Sequence, residues 1–200
     1  MKFTRIPETA FQELQINAGI MLSSFDPAAP GSVTELVKNL LGATSGGVNF
    51  TATPAYTDFG EDIDNCPANV KELKKLDNWD VKMSGTFITV SAALVKTLIG
   101  AGDIDAADAA KIVPRNDLKD TDFKDIWWVG DYSDKNGDSN GGFLAIHMMN
   151  GLSTGGFKIQ SGKKAKGQFA FEFAGHYSMS EPDTVPFEVY VQAGTEEAAG

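Results

Sequence analysis

The residues that could do chemistry are few and scattered. There are two histidines, His147 and His176, and one cysteine, Cys66. A metal centre needs three or four converging ligands, and this set is poor for one. Both histidines fall in alternating, strand-like patterns and read as core or sheet-surface residues. Cys66 sits beside Pro67 with acids upstream, a setting that raises a thiol's pKa rather than activating it. The run Asp131-Tyr-Ser-Asp134-Lys-Asn136-Gly-Asp138-Ser-Asn140 has the first ligand positions of a calcium loop at Asp134, Asn136 and Asp138. It lacks the glycine due next, which is Ser139, and the closing glutamate, which is Ala145. A polar turn between two strands is the plainer reading. Ser161-Gly-Lys-Lys164 matches S-x-x-K only by its letters, without the helix that pattern needs. Trp127-Trp128 could line a sugar platform, but neighbours in a strand point to opposite faces, so at most one serves any surface. Carboxylates are numerous, and no pair stands out as a glycosidase acid and base. P-loop, G-x-G-x-x-G, G-x-S-x-G, H-E-x-x-H and C-x-x-C strings are all missing. The residues give no catalytic constellation, and we expect no enzyme and no cofactor.

One segment is conspicuous for its charge. Residues 56–79 are the longest stretch without clear periodicity, and their first half carries Asp58, Glu61, Asp62 and Asp64 with no base among them. Loops of that length are usually functional or ordered by a partner.

The elements that would position these residues are mainly strands. The chain has 200 residues, enough for a core that buries about 70% of the unfolded surface without disulfide or metal. Its 21 glycines and 13 phenylalanines lean towards strands and turns. Alternation is clearest at Phe169, Phe171, Phe173 and Tyr177, and again at Phe187, Val189 and Val191 behind Pro186. Leu14, Ile16, Ala18, Ile20 and Leu22 form one apolar face, and Val48, Phe50 and Ala52 another. Strands are also expected over 83–90, 126–132 and 143–149, with a short one at Phe157 and Ile159. Ser91 caps a helix over 92–99 that Gly100 stops. A second helix is expected over 32–41, where Ser32 and Glu35 match a capping box. The same residues could form a strand, and 105–111 could add a helical turn. The expectation is a β-sandwich or part-barrel with one or two flanking helices.

The formal net charge is −10. That disfavours phosphate-driven nucleic-acid binding and docking on anionic membranes. No stretch approaches the length of a membrane span, and no apolar run near Met1 reads as a signal peptide. A chain made in a reducing cytoplasm is expected; the sequon Asn49-Phe-Thr51 is then without consequence.

Several strings together resemble the major tail protein, the tail-tube subunit, of long-tailed non-contractile phages and prophages of Gram-positive bacteria. They are Glu13-Leu-Gln-Ile-Asn-Ala-Gly-Ile20 with Ser24-Phe-Asp-Pro27; Gly42-Ala-Thr-Ser-Gly-Gly-Val-Asn-Phe-Thr-Ala-Thr-Pro54 running into Asp58-Phe-Gly-Glu-Asp-Ile-Asp-Asn65; Met83-Ser-Gly-Thr-Phe87; Asp125-Ile-Trp-Trp-Val-Gly-Asp-Tyr-Ser-Asp134; and 169–177 followed by Asp183-Thr-Val-Pro-Phe-Glu-Val-Tyr-Val191. They occur in order across nearly the whole chain and carry no mechanism of their own. The resemblance implies one domain over 1–200, a β-sandwich with a flanking helix. It also implies hexameric rings stacked into the tail tube of a virion, assembled in the host cytoplasm. The tube would carry the tape-measure protein and let DNA pass without specific binding, with tail terminator and distal tail proteins at its ends. It implies no catalytic residue. The long loop 56–79 would then pack on the neighbouring ring. Asp58, Glu61, Asp62 and Asp64 would either line the lumen or keep the unassembled loop solvated. The segments 1–13 and 193–200 and that loop are expected to be mobile before assembly. The alternative is a carbohydrate-binding β-sandwich module of a phage tail or cell-surface protein, using Trp127 or Trp128.

Overall fold

The computed structural model describes residues 14–30, 33–132 and 141–194. In order, they form β1 (Gln15–Leu22), α1 (Val33–Lys38), β2 (Leu40–Gly42), β3 (Thr44–Asp58), β4 (Lys74–Phe87), α2 (Ala92–Ile99), β5 (Gly102–Ile104), β6 (Ile112–Pro114), β7 (Lys124–Tyr132), β8 (Gly142–Ser153), β9 (Phe169–Ala174) and β10 (Phe187–Gln192). The fold is mainly β and sandwich-like, as expected, and of the one or two helices expected the described residues form two.

One layer pairs β2, β1, β7, β8 and β10, all antiparallel. The other pairs β3, β4 and β9. Strand β8 belongs to both, because Leu152 and Ser153 at its end leave β7 and β10 and pair with β9. Between the layers lies a core of Met21, Val81, Met83, Phe87, Ile126, Trp128, Met148 and the β9 phenylalanines, closed at one end by Leu94 and Leu98 of α2. The expected alternation holds at Phe169, Phe171 and Phe173, all buried, but not at Tyr177, which lies beyond β9 and is exposed.

A second apolar cluster covers the outer face of the first layer. Phe25 and Leu36, from the segment after β1, pack there on Trp127, Phe143 and Ala145. Strand β7 is thus buried on both faces, with Trp128 inside and Trp127 outside.

Strand β1 departs from its sequence pattern. Asn17 and Gly19 have positive φ, 68° and 69°, and the register with β7 breaks between Ile16 and Ile20. The bulge makes room for the Trp128 indole, whose Nε1–H donates to the Ala18 carbonyl at 3.0 Å. A Cβ on Gly19 would lie 2.5 Å from that ring. Past the bulge the alternation resets, so Met21 and Leu22 are buried while Ile20 is exposed.

Other boundaries shift for local reasons. Helix α1 ends at Lys38, and Leu40 and Leu41 join β2 instead, pairing with the end of β1. Ser32 lies outside the described residues, as do 1–13, 195–200 and the calcium-loop positions Asp134, Asn136 and Asp138. Strand β4 stops at Phe87, short of the expected Val90. Phe157 and Ile159 are not strand; the segment is held by the Gln160–Gln168 bridge and by Phe157, whose ring stacks on Phe169. Residues 105–111 are not a helical turn either. They cap the β5–β6 hairpin with two Asx turns, Asp105 and Asp108 accepting from the N–H groups of Ala107 and Ala110. Helix α2 matches expectation: Ser91 accepts from the Leu94 N–H at 3.1 Å, and Gly100 stops the helix at φ 79°.

Candidate functional site: the projecting hairpin

Of the expected loop 56–79, residues 59–73 are the connection and the two flanks are paired ends of a hairpin. Strand β3 runs on to Asp58, and β4 begins at Lys74, with Asp58 opposite Lys74 and Tyr56 opposite Leu76. Only 59–73 connects them. The half of the ladder nearest the core has one buried face, at Val81 and Met83. Beyond Trp79 the hairpin leaves the core, and both faces of β4 from Lys74 to Asn78 are exposed. It is an arm of about 13 Å, five residues spanning four steps of ~3.3 Å, plus the tip.

The arm is built to hold its shape. Asp58 is its staple: Oδ1 accepts from the Gly60 N–H and Oδ2 from the Asn69 N–H, both at 2.9 Å. The Phe59 N–H donates to the Leu73 carbonyl at 3.0 Å. Gly60 is buried against Leu73 and the Cys66 sulfur. Thr57 donates to Asp77 across the ladder, and Lys74 both donates to Asn69 and sits over the Tyr56 ring. Of the four acids singled out in the sequence, Asp58 therefore works inward. Glu61, Asp62 and Asp64 are exposed at the tip, with no hydrogen bond or ion pair to any described residue. Beside them, Phe59 is 57% and Ile63 50% exposed. Tyr56 and Leu76 are also exposed along the arm. The arm thus leaves four large apolar side chains in water on an internally braced element.

The sheet edges add a second surface. Strand β3 ends the sheet path and carries no charged residue over 44–57. Natural edges are usually guarded by charge, proline or bulges; β3 has Pro54 and register breaks between Thr44 and Val48 and between Ala55 and Tyr56, but no charge before Asp58. Among the described residues, strand β10 is also at an edge and pairs only with β8, and its Val189 and Val191 are exposed.

The groups considered for chemistry are used structurally. Trp127 and Trp128 are 7% and 8% exposed, so neither offers a sugar platform. His147 stacks on Trp127 with ring centres 4.0 Å apart. Its two nitrogens face different carboxylates, Asp125 at 3.3 Å and Glu188 at 3.4 Å. The Tyr190 hydroxyl, 2.6 Å from Glu188, together with His147, holds the Glu188 carboxyl below its ordinary range. His176 lies against Phe123 and the Asn150 carbonyl. Ser161 and Lys164 sit on the exposed connection between β8 and β9. Among the described residues, no three His, Cys, Asp or Glu side chains are grouped to hold a metal, and no helix is long and apolar enough to cross a membrane.

Sequence reasoning missed one polar centre. Asp122 is buried, and both its carboxylate oxygens accept from Arg115 Nη2, at 2.7 and 2.8 Å. Arg115 Nε faces Asp103 at 2.8 Å. Burial opposes ionisation of Asp122, but the Lys119 N–H and the guanidinium outweigh it, and the carboxyl stays below its ordinary range. The group ties the β5–β6 hairpin to the turn before β7. No signal in the sequence marks these three residues out from other charged loop residues.

Neither protein-family models nor curated protein sequences give a match to this chain.

Proposed function

We propose that this chain is a structural subunit that polymerises into a tube, of the kind that forms the tail of long-tailed non-contractile phages. The observation that supports the reading best is the β3–β4 arm. A monomer gains little from extending a braced hairpin past its core with Phe59, Ile63, Tyr56 and Leu76 in water. A subunit that docks the arm on a neighbour recovers that burial. The uncharged edge of β3 and the open edge of β10 would be closed by lateral neighbours in a ring. A contact of the arm with a different surface on the next copy is heterologous and so extends as an open stack. The acidic chain suits a conduit whose wall does not grip DNA phosphates. On this reading the partners are further copies of the chain, the tape-measure protein inside the tube, and terminator and distal tail proteins at its ends. The place of action is the virion.

Negative-stain microscopy of concentrated protein at moderate salt tests the proposal. Rings or tubes with a central hole are expected. A protein that stays monomeric at every concentration would refute it.

A further inference from the structure

The acidic arm has an opposite number at the other end of the molecule. The connection 155–167 between β8 and β9 carries Lys158, Lys163, Lys164 and Lys166 and no acid. All four lysines are exposed and make no ion pair with any described residue. Like the arm tip, this loop shows apolar residues beside its charges, Phe157 at 41% and Ile159 at 61% exposed. It also keeps its shape, because Gln160 and Gln168 exchange both backbone hydrogen bonds, at 2.8 and 2.9 Å.

The topology places the two features at opposite poles. The lysine loop leads into Phe169, which pairs with Phe87 at one end of β4. The acidic tip begins beyond Lys74, at the other end. The 14 residues of β4 put about 45 Å between them. They cannot meet within one chain. Two copies stacked in the same orientation bring the tip of one against the loop of the next, acid to base and apolar to apolar.

We propose that the lysine loop 155–167 is the receptor for the tip 59–73 of a second copy, with Glu61, Asp62 and Asp64 meeting Lys158, Lys163, Lys164 and Lys166. This rests on the tube-subunit reading and names the partner surface of its arm. Complementary charge sets the polarity of stacking, since tip against tip and loop against loop both repel. Every subunit then has one donor pole and one receptor pole, which is what an open-ended polymer requires.

The test is charge reversal read by light scattering and sedimentation. The acidic set becomes Glu61→Lys, Asp62→Lys and Asp64→Lys. The basic set becomes glutamate at the four lysines. Near-UV circular dichroism checks that each variant is folded, and glutamine at the same positions provides milder versions. Either reversal alone is expected to raise the critical concentration by about tenfold or more, and both in one chain to restore it to within about threefold. If wild type assembles and single reversals assemble equally well, the inference fails and the tube reading stands. Single reversals that block assembly without rescue by the combination also overturn it. A wild type that never assembles overturns both.

Discussion

The arm separates folding from assembly, and that separation can be measured. Replacing Phe59 and Ile63 with serine removes the two largest apolar groups at the tip. Fully burying such a side chain is worth about 1.5–3 kcal/mol. Since Phe59 is 57% and Ile63 50% exposed, roughly half of that remains to be gained on docking, about 1 kcal/mol each. Losing about 2 kcal/mol from a contact raises the critical concentration about 30-fold, at 1.4 kcal/mol per tenfold. Monomer stability should change far less, because neither side chain belongs to the core between the sheets. Phe173→Ala provides the contrast. That ring is fully buried, and its loss should cost about 3–5 kcal/mol of folding free energy. The assay is light scattering across a dilution series beside urea unfolding of dilute monomer. An unchanged critical concentration for the tip variant would refute the arm as an interface. A tip variant that unfolds like Phe173→Ala would refute its being a projection.

Further outcomes follow from particular contacts. Asp58→Ala should free the tip by removing two hydrogen bonds worth about 1 kcal/mol each; limited proteolysis should then cut within 59–73 while the melting temperature of the rest stays close to wild type. Gly19→Ala places a methyl 2.5 Å from the Trp128 ring at φ 69°, so it should destabilise by about 2 kcal/mol or more and shift tryptophan fluorescence. Asp122 is harder to protonate folded than unfolded, so its stabilising contribution is present above the ordinary value of 3.8 and fades as pH falls through the lower folded value. Asp122→Asn should lower stability at neutral pH and flatten this acid limb in urea titrations.

Much of the β architecture was legible because burial writes alternation into sequence. Phe169, Phe171 and Phe173 line one face of the core and repeat with period two. The distal half of the arm has no buried face. From Lys74 to Asn78 both sides meet water, so no alternation is written and a strand reads as a loop. The β1 pattern misled for the opposite reason. Its alternating residues are real, but a bulge set by Asn17 and Gly19 resets which of them turn inward, and that depends on a tryptophan over a hundred residues away. The acids at 58–64 were visible as a charged run. That Asp58 turns inward while its three neighbours face solvent follows from the backbone N–H groups of Gly60 and Asn69, which only the folded tip brings together. The lysines of 155–167 were visible too, but their place opposite the tip depends on how β9 pairs with β4.

The central claim is self-assembly, and electron microscopy of the concentrated protein tests it most directly. The account predicts rings or stacked tubes of uniform diameter with a central channel. Featureless monomers across concentration and salt would contradict it.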